Sequence, residues 1–288
     1  MNRTRSAALL FALLPVLTLP ALPFAAQSSD KDKPKADKGA GKVVTQVNAD
    51  VTIARKAEAE KRYGDAEALM QKDVSEHPEL AVPRVELALT QLALEKYDAA
   101  AANFRQVLGL DTKIDTVTHD DAFYQSSGIQ ATHASRNTAG GEYIAEKNRD
   151  PEITGAAWNG LGEIYIRQKN FRNAETAYDN AAQVNPAKAA FYRNNETILF
   201  FKAGQSDAQL AAAEKAIAAD PTRPSMYYFK AQALVSKATM DNATGKMTLP
   251  SGCAEAYQKY LQLDPNGQFS ADAKGILTAA GLPIPKKS

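Results

Sequence analysis

Large and small residues recur at fixed intervals around Trp158, and this pattern constrains the fold more than any other feature of the sequence. Trp158, Leu161 and Tyr165 are spaced by three and four residues, so they share one face of a helix. Gly162 lies between them, where glycine costs about 1 kcal/mol relative to alanine, which indicates close approach of a partner helix. Pro186 ends a second helix because proline cannot donate a backbone hydrogen bond. The pattern therefore predicts two helices packed against each other.

The spacing resembles the signature of the tetratricopeptide repeat (TPR), a helix–turn–helix unit of about 34 residues. In that signature a tryptophan, a leucine, a glycine and a tyrosine on the first helix precede small and aromatic residues on the second. The matching residues here are Trp158, Leu161, Gly162, Tyr165, Phe171, Ala174, Tyr178, Ala181 and Pro186. The resemblance implies an all-α fold, a TPR-type α-solenoid of antiparallel helix pairs with a C-terminal capping helix.

Further copies of the pattern follow at a similar period on both sides of this repeat. Apolar and small residues fall at the matching positions of the copies, and a last helix with an apolar face would cap the array. We predict a solenoid over 43–281 whose repeats and cap occupy 47–80, 81–114, 120–153, 155–188, 190–222, 224–267 and 268–281, followed by a tail at 282–288.

Three of these copies depart from the signature. The copy at 120–153 is degenerate, and an irregular helical insertion is the alternative for this segment. In the fifth copy, Arg193, Glu196 and Thr197 stand where the signature has tryptophan, leucine and glycine, which leaves the packing of that helix open. The last copy contains an inserted loop at 239–252, which could form a small hairpin.

The N-terminal 26 residues have the three-part layout of a secretory signal peptide. Arg3 and Arg5 precede an apolar run over 7–24, and two alanines follow as a cleavage site. Three prolines interrupt the run, which favours a cleaved signal over a membrane anchor. Residues 27–42 are rich in lysine and contain almost nothing that could be buried, so we expect a disordered linker. We therefore expect an exported protein, periplasmic or secreted, that does not span the membrane after cleavage of residues 1–26.

Composition and motifs argue against several functions. The net charge of +1, from 34 Lys and Arg against 33 Asp and Glu, is not that of a protein that binds nucleic acid through bulk charge. One cysteine and three histidines, His77, His119 and His133, show no metal-binding spacing. The sequence also lacks the nucleophile elbow and the glycine-rich loops that bind phosphates or dinucleotides. We expect no metal, no cofactor and no catalysis.

A surface is then the expected working part of the molecule, and the TPR resemblance implies that it is the concave groove lined by the first helix of each pair. The predicted groove residues are Asn159, Glu163, Ile166, Arg167, Phe191, Asn194, Ile198, Phe201, Tyr228 and Gln232. We expect aromatic side chains to anchor a peptide or helix, while Asn159 and Asn194 pair with its backbone. The alternative for Phe191, Phe201 and Tyr228 is a place in the core.

The expected function is therefore non-catalytic binding of a protein or peptide of the cell envelope through this groove. The alternative is a carbohydrate-binding or peptidoglycan-binding envelope module, in which the aromatic groove residues stack on sugars. A hydrolase is a third and more distant hypothesis, since no nucleophile is recognisable in the sequence. Fold class follows from the spacing of residues, whereas the identity of the partner does not.

Overall fold

The part of the chain that the structure describes is a row of α-helices joined by short turns. The computed structural model describes residues 38–109, 148–241 and 247–285, which belong to one compact unit. Eleven α-helices are found within these residues. They are α1 (Lys38–Ala59), α2 (Tyr63–Glu76), α3 (Ala81–Ala93), α4 (Tyr97–Val107), α5 (Pro151–Arg167), α6 (Phe171–Val184), α7 (Ala189–Lys202), α8 (Ser206–Ala219), α9 (Pro224–Val235), α10 (Cys253–Leu263) and α11 (Ser270–Ala279).

The helices form five successive pairs, α1 with α2 through α9 with α10, and α11 follows the last pair. The first helices α1, α3, α5, α7 and α9 contact one another in order and form one layer. Each second helix packs against its own first helix and, in most pairs, against the first helix of the next pair. This arrangement confirms the predicted all-α, TPR-type fold.

A three-residue turn joins the two helices of each of the first four pairs, and its middle residue has a left-handed backbone. These residues are Lys61, Glu95, Lys169 and Gly204, with φ values of 61°, 59°, 60° and 69°. The residue after each of them donates its N–H to a carbonyl near the end of the first helix, as Asn170 does to Tyr165 at 2.7 Å. The same local backbone therefore reverses the chain in every one of these pairs.

The signature residues of the α5–α6 pair make the contacts that their spacing predicts. Leu161, Ala174 and Tyr178 are completely buried. A Cβ atom at Gly162 would lie 2.7 Å from Cε2 of Tyr178, so the absent side chain lets the aromatic ring approach the α5 backbone. Trp158 is also buried. The core of this pair was therefore predictable from the sequence alone.

The α3–α4 pair and the α5–α6 pair are direct neighbours in the stack. Helix α5 contacts both α3 and α4, and Gly160 of α5 lies against the ring of Phe104 of α4. Asn148, just before α5, accepts a hydrogen bond from the Ala81 N–H at 2.8 Å and donates to the Glu79 carbonyl at 2.7 Å. The start of α5 is thereby fixed to the turn between α2 and α3.

Most of the copy predicted at 120–153 lies outside the described residues. Its last residues, 148–153, belong to the start of α5 and the turn before it. Helix α5 contacts both α3 and α4. The repeat predicted at 120–153 stays a prediction for the residues before Asn148. A period of 34 residues does not report whether an extra segment is stacked into the array or inserted beside it.

The N-terminal end of the described solenoid begins earlier than predicted. Helix α1 begins at Lys38, so residues 38–42 of the predicted linker are helical. The reason is the apolar stripe that starts with Val43 and Val44. These side chains pack against the buried core of α1 and α2, which includes Val47 and Met70, and the helix extends toward the N-terminus. The predicted signal peptide, residues 1–26, and linker residues 27–37 lie outside the described residues. No helix among the described residues is long and apolar enough to cross a membrane.

The inserted loop of the last repeat contains a short antiparallel hairpin. Strand β1 (Thr239–Met240) pairs with β2 (Met247–Thr248), with Thr239 opposite Thr248. Helix α11 then packs against α10 and buries Ala273 and Leu277 completely. The structure therefore has a helix where the capping helix is predicted.

Candidate partner-binding groove

The ten predicted groove residues lie on α5, α7 and α9, and the side of these helices that carries them is called the groove face below. Helix α5 begins sharply because the Asp150 side chain accepts a hydrogen bond from the Glu152 N–H at 2.9 Å and Pro151 occupies the first helical position. Pro224 occupies the first position of α9, which has no side-chain cap.

Two of the four groove residues on α5 belong to the packing between repeats. Ile166 and Asn159 are buried, and the Asn159 side chain accepts a hydrogen bond from Nδ2 of Asn195 on α7 at 3.1 Å. Asn159 therefore ties α5 to α7. Its amide has a protein partner already, which the sequence pattern did not reveal because Asn195 lies at a position that was not assigned to the groove.

The other two residues on α5, Glu163 and Arg167, form an ion pair at the end of the helix. Arg167 Nη2 lies 2.7 Å from Oε1 of Glu163, and the guanidinium side chain is 40% exposed. Its Cζ atom lies 5.6 Å from the ring centroid of Tyr97, whose hydroxyl is 3.4 Å from Nη1. Arg167 thus forms a charged rim at the junction of α5 with α4.

Helix α7 carries the most open part of the groove face. Phe191, Ile198 and Phe201 are partly exposed and lie along one side of this helix. Ile198 and Phe201 also pack against the core cluster of the last repeat, and the Phe201 ring centroid lies 5.1 Å from that of Phe229. Ile198 and Phe201 are therefore fixed by contacts with the core, and part of the surface of each side chain is open to solvent.

Asn194 stands between these apolar residues and is unusual. It is 4% exposed, and neither Nδ2 nor Oδ1 has a hydrogen-bond partner among the described residues. A buried amide without partners costs about 1–3 kcal/mol for each unsatisfied group. Both amide atoms are closed to solvent, so a ligand on the groove face would reach them only after a neighbouring side chain moved aside.

The structure places Tyr228 and Gln232 of α9 under the capping segment. Tyr228 is 6% exposed, and its ring is stacked on Phe269 at a centroid distance of 4.0 Å. The Tyr228 hydroxyl donates to Oδ2 of Asp272 at 3.0 Å, and Gln232 Nε2 donates to the same oxygen at 2.8 Å. Burial, together with the Asp272 carboxylate, raises the pKa of Tyr228. The open groove face therefore ends before α9.

At the other end of the array, the first helices are joined by a polar network that the sequence analysis missed. Arg55 of α1 pairs with both carboxylate oxygens of Glu86 on α3, and Thr90 of α3 contacts the carboxyl group of Glu58. Burial and the nearby Glu86 raise the pKa of Glu58. Charged residues at helical spacing ordinarily indicate a solvated surface, so nothing in the sequence marked these as contacts between repeats.

The residue types that the sequence analysis considered for metal binding and catalysis can be located in the described ranges in part. No group of three or more His, Cys, Asp or Glu side chains that could hold a metal occurs in the described ranges. Cys253 is buried, and burial raises the pKa of its thiol to about 11, which disfavours the nucleophilic thiolate. His77 lies 3.7 Å from a carboxylate oxygen of Glu79, whereas His119 and His133 lie outside the described residues.

Comparison with known families agrees with this geometry. Residues 155–188 match the family model described as tetratricopeptide repeat, which is the α5–α6 pair and the turn that follows it. The pairs on either side have the same order of helices and, where described, the same turn backbone. The chain is therefore a TPR protein with an all-α, TPR-type fold. None of the curated proteins matches it.

Several solved structures are similar at low identity. YrrB, described as a TPR protein with an unusual peptide-binding site, has a TM-score of 0.46 and 13% identity over 84% of this chain and 100% of that chain. The thermophilic TPR protein TTC0263 of Thermus thermophilus has a TM-score of 0.40 and 17% identity over 82% and 99%. The Cut9–Hcn1 hetero-tetramer of APC/C gives 0.33 and 11% over 80% and 42%. These similarities are too distant to support an argument about the groove face.

Proposed function

We propose that this protein is a non-catalytic scaffold that binds a peptide segment of a protein partner along the groove face of α5 and α7. TPR folds suggest protein–protein interaction scaffolds, and the proposal adds the place and the kind of ligand. The observation that carries it is the row formed by Phe191, Ile198 and Phe201, with the unpartnered amide of Asn194 among them.

The physical argument has an apolar and a polar part. Covering partly exposed phenylalanine and isoleucine side chains removes apolar surface from water, and aromatic residues of this kind often carry most of the binding energy at an interface. A peptide group offers one donor and one acceptor, which are the two partners that the Asn194 amide lacks. An extended or helical peptide would cover the apolar row directly, and it would pair with the Asn194 amide if a neighbouring side chain moved aside.

The structure offers less support for the carbohydrate-binding alternative. Sugar stacking requires an aromatic ring with an open face, and the ring of Tyr228 is stacked on Phe269. Phe191 is packed edge-on against Tyr192, with centroids 5.5 Å apart. A partner fraction treated with protease would distinguish the two functions, because glycan binding would survive the treatment and peptide binding would not.

We also propose that the protein acts in the cell envelope or outside the cell. The support is the signal-peptide layout of residues 1–26, with its basic start, apolar run and small residues. N-terminal sequencing of the protein from its source cells tests this proposal. A mature chain that begins after Ala25, Ala26 or Ser28 is expected, and a cytosolic protein that begins at Met1 would contradict it.

The groove is tested with peptides selected from a displayed random library. We expect the Phe201→Ala variant to bind a selected peptide at least about 10-fold more weakly, because truncating a hot-spot anchor costs about 2 kcal/mol or more and tenfold corresponds to about 1.4 kcal/mol. Isothermal titration measures the affinity, and circular dichroism checks that the variant is folded. Val184→Ala, an exposed position on α6, is the matched control and should bind as the wild type does. Equal affinity of the Phe201 variant and the wild type would refute the groove assignment.

A further inference from the structure

A buried cluster of charged residues joins α6, α7 and α8 where the fifth repeat departs from the TPR signature. Glu196 of α7 has a side chain that is 1% exposed, and Nη1 of Arg193 donates to its Oε2 at 3.0 Å. The same Nη1 lies 2.6 Å from Oδ1 of Asp179 on α6. Lys215 of α8 lies 2.7 Å from that oxygen. These four side chains, called the joint cluster below, alternate in charge across three helices.

The joint cluster is solvated at one end and dry at the other. Asp179 and Lys215 are 49% and 41% exposed, so water reaches both of them. Glu196 pairs with Arg193, and Arg193 also pairs with Asp179. A buried carboxylate costs several kcal/mol unless its charge and its hydrogen-bonding capacity are fully matched. Desolvation outweighs the attraction of Arg193 here and raises the pKa of Glu196 to about 7.

A neighbouring titratable group on α6 adds no charge to the joint cluster. Tyr178 is completely buried, and its hydroxyl has no hydrogen-bond partner among the described residues. Its pKa is raised well above the usual value, first by burial and then by the carboxylates of Glu163 on α5 and Glu196. The phenol therefore stays neutral and adds no negative charge beside Glu196.

Charged groups on the other elements that pack against α7 are engaged in separate ion pairs. Helix α9 carries Lys230, which lies 2.9 Å from Oε1 of Glu214 on α8. The 3-10 turn before α7 carries Lys188, which pairs with Glu152 of α5. Arg193 and Lys215 are therefore the cations that act on Glu196.

We propose that Glu196 is a proton-operated joint: the neutral carboxyl group keeps α6, α7 and α8 closely packed, and loss of its proton loosens them. The direction of the change in stability with pH follows from the coupling between proton binding and folding. The folded chain binds this proton more tightly than the unfolded chain, so its stabilising effect is complete below about pH 4.5. The effect is lost as the pH rises to about 7, and above that pH the buried negative charge favours opening of the joint.

Arg193 and Glu196 of the joint cluster lie on the same helix as Phe191, Ile198 and Phe201, but on the side that faces α6 and α8. The inference does not depend on the proposed peptide binding, because its consequences are read from folding and protonation alone. An exported protein would meet the pH of its surroundings, and a group that titrates near neutrality responds to that range.

The test compares urea unfolding of the wild type, Glu196→Gln and Glu255→Gln at pH 5 and pH 8. Glutamine keeps the shape of the neutral acid, and Glu255 is an exposed glutamate on α10 that serves as the control. The unfolding constant of the wild type, relative to that of Glu196→Gln, should rise on the order of 100-fold between pH 5 and pH 8. Glu255→Gln should follow the wild type. A ratio that stays constant with pH would overturn the proposal.

A direct titration keeps the proposal testable even if the Glu196→Gln variant does not fold. The 13Cδ chemical shift of Glu196 in the wild-type protein should titrate with a midpoint near pH 7, and hydrogen-exchange protection of α7 should fall over the same range. A midpoint below pH 5 would show that Glu196 is an ordinary ionised glutamate, and the joint would then be unaffected by pH near neutrality.

Discussion

The middle residue of the turn within each of the first four helix pairs has a left-handed backbone, which costs less for glycine than for other residues. A left-handed backbone costs a non-glycine residue about 1 kcal/mol or more, yet Lys61, Glu95 and Lys169 adopt it in the first three pairs that the structure describes. Only the α7–α8 turn, among these four turns, uses glycine. Gly204 therefore has a conformational role, since a Cβ added to it would meet nothing within 4 Å.

We expect Gly204→Ala to lower the free energy of unfolding by about 1 kcal/mol because alanine is strained at a φ of 69°. Urea unfolding followed by circular dichroism measures the change. Gly275→Ala is the matched control, since Gly275 lies inside α11 with open space around it, and there alanine should stabilise by up to about 1 kcal/mol. A stabilised Gly204 variant would show that the turn backbone differs from the one described.

Residue-level prediction from the sequence succeeded where the contacts are local. Leu161, Gly162 and Tyr178 lie within one helix pair, so their spacing alone predicts that they meet. The partner of Asn159 is Asn195, 36 residues later, and this contact depends on the relative rotation of two repeats. Periodicity carries no information on that rotation, which is why Asn159 was predicted to be available to a ligand.

At the scale of helices, the capping helix determines how much of the groove face is open. Helix α11 and the residue before it occupy the place that the first helix of another repeat would take, and they engage α9 through Asp272 and Phe269. Of the two predicted groove residues on α9, Tyr228 is therefore internal, and Gln232 is half-buried and bonded to the cap. The sequence predicts that a cap exists, but which side chains it covers depends on contacts between residues about 40 apart.

We expect Asp272→Ala to destabilise the fold by about 1–3 kcal/mol, because the Tyr228 hydroxyl and Gln232 Nε2 would lose their shared acceptor. The measurement is urea unfolding at neutral pH. Thr278→Ala, an exposed change on the same helix, should stay within about 0.5 kcal/mol of the wild type. If the two variants were equally stable, the described contact between the cap and α9 would not form in solution.

At the scale of the whole molecule, the helix pairs stack without interruption between α4 and α5, although the repeat pattern of the sequence is interrupted there. Gly160 lies against Phe104, and Asn148 hydrogen bonds to the backbone of the α2–α3 turn, so these pairs are joined as directly as the others. The predicted repeat at 120–153 rests on its period alone, and a period does not distinguish a segment stacked between two helix pairs from one inserted beside them.

We therefore expect a chain from which residues 112–145 are deleted to fold with the same helix pairs. The contacts that hold α3 and α4 to α5 are made by residues that the deletion retains. Thermal unfolding followed by circular dichroism should show one cooperative transition in the shortened chain, as in the full chain. Two separate transitions, or loss of helical structure, would mean that the deleted segment is required for stacking.

Because α5 contacts α3 and α4 directly, we expect the chain between α4 and α5 to tolerate the insertion of a foreign sequence. The chain passes from Leu108 to Asn148 at a boundary where the two flanking repeats already hold each other. An epitope, a reporter domain or a second binding module could be inserted at this boundary. The array would display it and keep all the described contacts between its repeats.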